Sequence, residues 1–134
     1  MTTPDAAWIW IDPDILLIAH DEQLAEHGGA SGIRDRAMFE SALARPQNLV
    51  AYGEPDAAAL AAAYAFGLAK NHAFVDGNKR TALVALEYFL ALNGYALEAD
   101  DAQCVLVILS FASSAFSEAE LADWVRKHLK PIAP

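Results

Sequence analysis

Cations are scarce in this sequence. Its 134 residues carry nine Lys and Arg against 18 Asp and Glu, a formal net charge of -9 with His neutral. A nucleic-acid surface needs clustered Lys and Arg to displace counterions from phosphates, so the balance argues against unaided DNA or RNA binding. A basic protein partner would be attracted instead. Cysteine is nearly missing. Cys104 stands alone, ahead of the apolar run Val105–Leu109; no disulfide can form within the chain, which fits a reducing compartment, and the residue reads as a small buried hydrophobe. No apolar stretch is long enough to span a bilayer. Met1–Ala7 has neither the basic residues nor the apolar centre of a signal peptide. The expectation is a soluble, cytoplasmic protein. Repeats, low-complexity tails and linkers are also missing, and the length is close to the commonest for one domain, so 1–134 is read as a single unit.

Hydrophobic residues make up 55% of the chain and charged residues 20%, enough to bury a core and the reverse of a disordered composition. Trp8-Ile9-Trp10-Ile11 is an edge strand or a packed N-terminal arm. Asp12-Pro13 then opens a helix that runs to about His27 and stops at Gly28-Gly29. Ser31–Asp35 is a turn into a second helix, with Met38, Phe39, Ala42 and Leu43 on one side and an end before Pro46. Gln47–Pro55 is a loop. A third, Ala-rich helix begins near Asp56, places Leu60, Tyr64 and Leu68 along one stripe and reaches Asn71 or His72. The fourth runs from about Asn78 to Leu92, stopped by Asn93-Gly94; between Ala82 and Leu92 its only charge is Glu87, which places it in the middle of the domain. Tyr95–Leu97 connects to Asp100-Asp101, the cap of a segment Ala102–Ala115 whose β-prone run is read as helix on length and capping. Ser117 and Glu120 form a capping box for a last helix to about Leu129. The predicted fold is all-α, about six helices around one apolar helix.

The chemistry is concentrated in His72-Ala73-Phe74-Val75-Asp76-Gly77-Asn78-Lys79-Arg80-Thr81. A helix start carries unsatisfied N–H groups and the positive end of the macrodipole. Gly77 lets backbone approach a ligand, and Lys79 and Arg80 add charge at the same place, which makes an anion site with phosphate the obvious anion. Two cations in a first turn oppose the dipole, and an anion removes the conflict. His72 has the side chain to take a proton from a hydroxyl. Asp76 suits Mg²⁺, which binds through one or two carboxylates plus phosphate oxygens. Phe74 is the expected buried anchor. Each residue alone also has a structural use: His72 as a helix C-cap, Asp76 as a turn residue or N-cap, Lys79 and Arg80 as a solvated turn. His20 and His27 lie seven apart without a third ligand and read as surface or cap residues; His128 suits a helix C-terminus. Trp8, Trp10 and Trp124 read as core or interface.

These residues resemble the core motif of the Fic/Doc family, His-x-Phe-x-Asp/Glu-Gly/Ala-Asn-x-Arg. Lys79, with Thr81-Ala82 after Arg80, is similar to the Doc branch, whereas ordinary Fic proteins carry Pro after the His and Gly at the position of Lys79. The likeness extends to Gly32–Asp35 and Glu40–Pro46. It implies an all-α fold with the motif on a loop opening a central helix, His72 as catalytic base, Asp76 as Mg²⁺ carboxylate, and Gly77, Asn78, Lys79 and Arg80 as the nucleotide-phosphate loop, with ATP and Mg²⁺ required. Lys70, two residues before His72, is a further candidate for phosphate. Lys79 in place of Gly would crowd an α-phosphate, which implies transfer of the γ-phosphate, a protein Ser/Thr kinase activity; AMP transfer to a protein hydroxyl and an inactive binding module are the alternatives. The Doc branch implies a toxin of a type II toxin–antitoxin pair that arrests translation at elongation factor Tu. No Glu here is followed by Gly or Asn, so the family's inhibitory helix motif is missing, and a basic, DNA-binding Phd-like antitoxin is the implied brake.

Overall fold

The computed structural model describes residues 8–132; the signal-peptide reading of Met1–Ala7 falls outside them. Six helices and two short strands follow in the order α1 (Pro13–His27), α2 (Arg36–Tyr52), α3 (Ala57–Lys70), α4 (Asn78–Leu92), β1 (Tyr95–Leu97), α5 (Asp101–Ala112), α6 (Glu118–His128) and β2 (Leu129–Pro131). Five of the helix starts carry a side-chain cap: Asp12 on Asp14 N–H, Asp35 on Met38, Asp56 on Ala59, Asp100 on Gln103 and Ser117 on Glu120, the last two as full capping boxes. The exception is α4, whose N-cap is Gly77 with no side-chain hydrogen bond.

The centre of the molecule is α3, not the apolar α4 expected from its lack of charge. Eleven of its fourteen residues are buried, and it contacts α2, α4, α5 and α6. The reason is size. Ala and Gly let neighbouring helices approach on several sides, while Leu60, Tyr64 and Leu68 fill the gaps. Six residues of α4 are buried, including Leu86, Phe89 and Leu90, but Glu87 and Ala91 face outward.

A second expectation also fails. Helix α2 does not end before Pro46 but passes through it, so Gln47–Tyr52 is helical rather than loop. Pro46 is buried. Its missing N–H leaves the Ala42 carbonyl without its usual helical donor, at a cost of about 3 kcal/mol. Around that point α2 and α3 meet backbone to backbone: a Cβ on Gly67 would lie 2.7 Å from Ala42 Cα. This contact, with Leu49 and Val50 packed against the core, holds the last turns in place and outweighs local preference.

The N-terminal arm resolves as a packed extended segment, not a strand. Trp8 and Trp10 lie against Phe89, the Ile11 N–H donates to Tyr64 Oη at 3.1 Å, and Asn93 pairs with the main chain of Ile9. Tyr95–Leu97, read as a connection, pairs antiparallel with β2 (Tyr95 with Pro131, Leu97 with Leu129), so α6 stops at His128. Cys104 is buried, as expected. No helix among the described residues is long and apolar enough to cross a membrane.

Asp56 both caps α3 and takes a two-point ion pair from Arg126, Nε to Oδ2 at 2.7 Å and Nη2 to Oδ1 at 3.0 Å. The Arg126 hydrogen bond holds the Asp56 carboxyl below its ordinary value, against the smaller opposing effect of burial. A lowered carboxyl pKa stabilises the fold above the unfolded value, about 3.9, and that contribution is lost as pH falls through the folded value. Asp56→Asn keeps the cap and loses the pair, so urea denaturation near pH 7 should show a loss of about 0.2–1 kcal/mol, since the pair is half exposed. The gap between variant and wild type should close below pH ~4; a gap that persists in acid would assign it to packing.

Candidate active site

The loop between α3 and α4 is held by its carbonyl groups. Arg34 Nε donates to the His72 carbonyl at 2.8 Å. Arg34 N–H and Asp35 N–H both donate to Ala73 O, at 2.7 and 3.1 Å. The Asn78 amide closes the loop on itself, Nδ2 donating to Phe74 O and Oδ1 accepting from Phe74 N–H, both at 3.0 Å. His20 Nε2 donates to Asp76 O at 2.7 Å. Four of the five carbonyls from 72 to 76 therefore have donors among the described residues. Val75 N–H donates to Gly32 O, and Ile33 bridges Phe74, so residues 32–35 lie beside the loop like a short strand. Phe74, the expected anchor, is buried, stacked on His20 and edge-on to Phe39.

With the carbonyls engaged, the other side of the loop is rich in donors. The first backbone bond of α4 is Thr81 N–H to Gly77 O at 3.0 Å, so the amides of Asn78, Lys79 and Arg80 have no helical acceptor. No acidic residue lies in the first turn. Gly77 adopts φ 81°, a left-handed value that favours glycine. A Cβ there would also lie 3.3 Å from Leu24 and 3.4 Å from His20. Lys79 and Arg80 are exposed, and neither has an ion-pair partner among the described residues. Two free cations and open amides at a positive helix end make an anion seat.

His72, Asp76, Gly77, Asn78, Lys79 and Arg80 line one cavity of about 490 Å³, which Leu83 of α4 and Val105, Ile108 and Leu109 of α5 also line. His72 is exposed, not folded into the core, and has φ 52°. A non-glycine residue held there is strained, and such strain gathers at functional sites. Asp76 does not cap α4. Its Oδ2 accepts from Ala30 N–H at 2.8 Å, and Oδ1 has no protein donor among the described residues. Among the described residues no set of three His, Cys, Asp or Glu side chains gathers there. A single carboxylate oxygen, as Asp76 Oδ1 offers, is compatible with Mg²⁺, whose remaining ligands would be phosphate oxygens and water.

One sequence candidate stands apart. Lys70 does not line the cavity; its Nζ donates to Ala112 O at 3.3 Å and Ser114 Oγ at 2.7 Å, at the negative end of α5. The Asn78 side chain spends its amide on Phe74, leaving only its main chain for a ligand. One expectation is overturned: His20 is neither surface nor cap but 2% exposed beneath the loop. Its spacing held the signal, since Leu16, His20 and Leu24 recur every fourth residue and all three are buried. Arg34 was also missed as a side chain gripping the loop. His27 is exposed at the end of α1, and the His128 ring stacks on Trp124.

The model of the Fic/Doc family matches residues 10–90, a span that includes α1 to α3 and the loop residues His72 to Arg80. The chain belongs to that family. Among its relatives, it is 33% identical over 118 residues to "Protein kinase doc" of Escherichia phage P1, covering 87% of this chain and 93% of that one. It is 49% identical over 76 residues to "Toxin Doc" of Mycolicibacterium smegmatis, covering 54% of this chain and 58% of the relative.

Asn78→Ala leaves both the Phe74 N–H and its carbonyl without partners. It should lower unfolding stability by ~1–3 kcal/mol, read by equilibrium denaturation, and speed hydrogen exchange at the Phe74 amide. An unchanged Phe74 amide would show that the Asn78 side chain is not the loop's clasp.

Proposed function

We propose that the chain is a toxin acting as a Doc-type protein kinase, transferring the γ-phosphate of ATP to a hydroxyl of a translation protein, elongation factor Tu by family analogy. The observation that carries this reading is the uncapped start of α4, with Lys79 and Arg80 sharing one cavity with His72 and Asp76. The open amides and Arg80 take phosphate oxygens. Lys79 adds charge and bulk where an α-phosphate over glycine would otherwise lie, which favours presentation of the terminal phosphate. His72 accepts the proton of the target hydroxyl as its oxygen bonds to the γ-phosphorus. The bond from that phosphorus to the β-phosphate oxygen breaks, and ADP leaves. Asp76 would hold Mg²⁺, which when bound would supply the charge neutralisation that such transfer needs. The name "Protein kinase doc" of the phage relative supports the direction of transfer.

The name "Toxin Doc" supports growth arrest as the outcome and an antitoxin as its control. A basic, DNA-binding, Phd-like antitoxin fits the net charge of -9, and together they form a type II pair in the cytoplasm. Incubation with a bacterial lysate and ATP labelled at α or at γ tests the reaction. Label should enter protein from the γ position only; entry from α alone would replace the kinase with an AMP transferase. His72→Ala should lower the transfer rate by about 10²–10⁴ and abolish growth arrest. Arrest that survives the substitution would make the chain a binding module.

A further inference from the structure

His20 has no part in the transfer just described, yet it is a polar side chain held 2% exposed on a helix face otherwise made by Leu16 and Leu24. Its ring lies on Phe74 with centroids 3.7 Å apart and planes 12° from parallel. Its Nε2 lies 2.7 Å from the Asp76 carbonyl; a carbonyl only accepts, so Nε2 carries the proton. The same ring edge faces Gly77, where an added Cβ would come within 3.4 Å of Nε2.

We infer that His20 is a positioning residue for the site: by holding the Asp76 carbonyl it fixes the peptide plane between Asp76 and Gly77, and so aims both the Asp76 carboxylate and the first amides of α4. In a trans peptide the carbonyl and the next N–H point to opposite sides. A carbonyl drawn toward α1 therefore turns the Gly77 N–H away from α1, and Gly77 lines the cavity. Asp76 is held a second time, from its side chain, by Ala30 N–H. Two donors from different segments thus fix the one residue that must present an oxygen to a cation. The stack on Phe74 fixes the ring itself, so the donor has little freedom to drift. An apolar residue at position 20 would fill the space and leave the peptide free to rotate.

The inference rests on the phosphate-transfer reading, and two substitutions separate its parts. His20→Phe keeps the ring on Phe74 and loses the donor. His20→Gln keeps an amide donor on a side chain of similar reach and loses the ring. Thermal melting, the Mg²⁺ concentration for half-maximal transfer, the KM for ATP and ¹⁵N relaxation dispersion at residues 76–78 are measured for both variants and the wild type. His20→Phe should melt near the wild type, yet raise the Mg²⁺ requirement and the KM by about 10- to 100-fold, the usual effect of losing an outer-shell partner. It should also show exchange broadening at residues 76–78. His20→Gln should melt lower but return all three toward wild-type values. Equal effects from the two variants, collapse of the fold in both, or a His20→Phe protein with wild-type Mg²⁺ dependence and flat dispersion would make His20 a packing residue and overturn the inference. If the wild type transfers no phosphate, the kinase reading fails alone, and the dispersion comparison still decides the role of His20.

Discussion

The structure depends on where the carbonyls of residues 72–76 go. A loop feeding a helix start presents both donors and acceptors, and acceptors would repel the anion that the helix end attracts. Here four of the five are bound, by Arg34, Asp35, Asn78 and His20. The amides of Asn78 to Arg80 remain, with two cations that have no ion-pair partner among the described residues. Each such hydrogen bond contributes about 0.5–1.5 kcal/mol in net terms, but their common effect is preorganisation: the donors would not need to reorient to meet an anion.

That arrangement rests in turn on the core. Phe74 sits between Phe39 of α2 and His20 of α1, so the loop is seated by two helices that flank the first half of the chain. α3 sets its one end and α4 its other, and the small residues of α3 let those elements come close. The strained backbone of His72 is held within this frame: its carbonyl takes Arg34 and its neighbour Ala73 takes two amides. Val105, Ile108 and Leu109 of α5 line the same cavity as the charged residues and give it an apolar side.

Much of this was legible in the sequence because it is local. Asp12-Pro13, the Asp100 cap, the Ser117 box and the Asn78 helix start are all read from neighbouring residues, and the structure places them as expected. The candidate site lies within nine consecutive residues, so its composition was visible without the fold. What escaped was non-local. Pro46 stays helical because Gly67, from another helix, packs against Ala42. α3 takes the centre because alanine, unremarkable as a helix former, is small. The two strands pair residues more than thirty positions apart. His20 reads as surface or cap because no third ligand joins it and His27, and its acceptor lies fifty-six residues away.

The central claim, that the start of α4 seats nucleotide phosphates, is tested most directly by titrating ¹⁵N-labelled protein with a non-hydrolysable ATP analogue and Mg²⁺ and following the amide resonances. The account predicts saturable shifts concentrated at Gly77, Asn78, Lys79 and Arg80, lost in Arg80→Ala. Shifts confined to other parts of the chain, with those four amides unmoved, would contradict it.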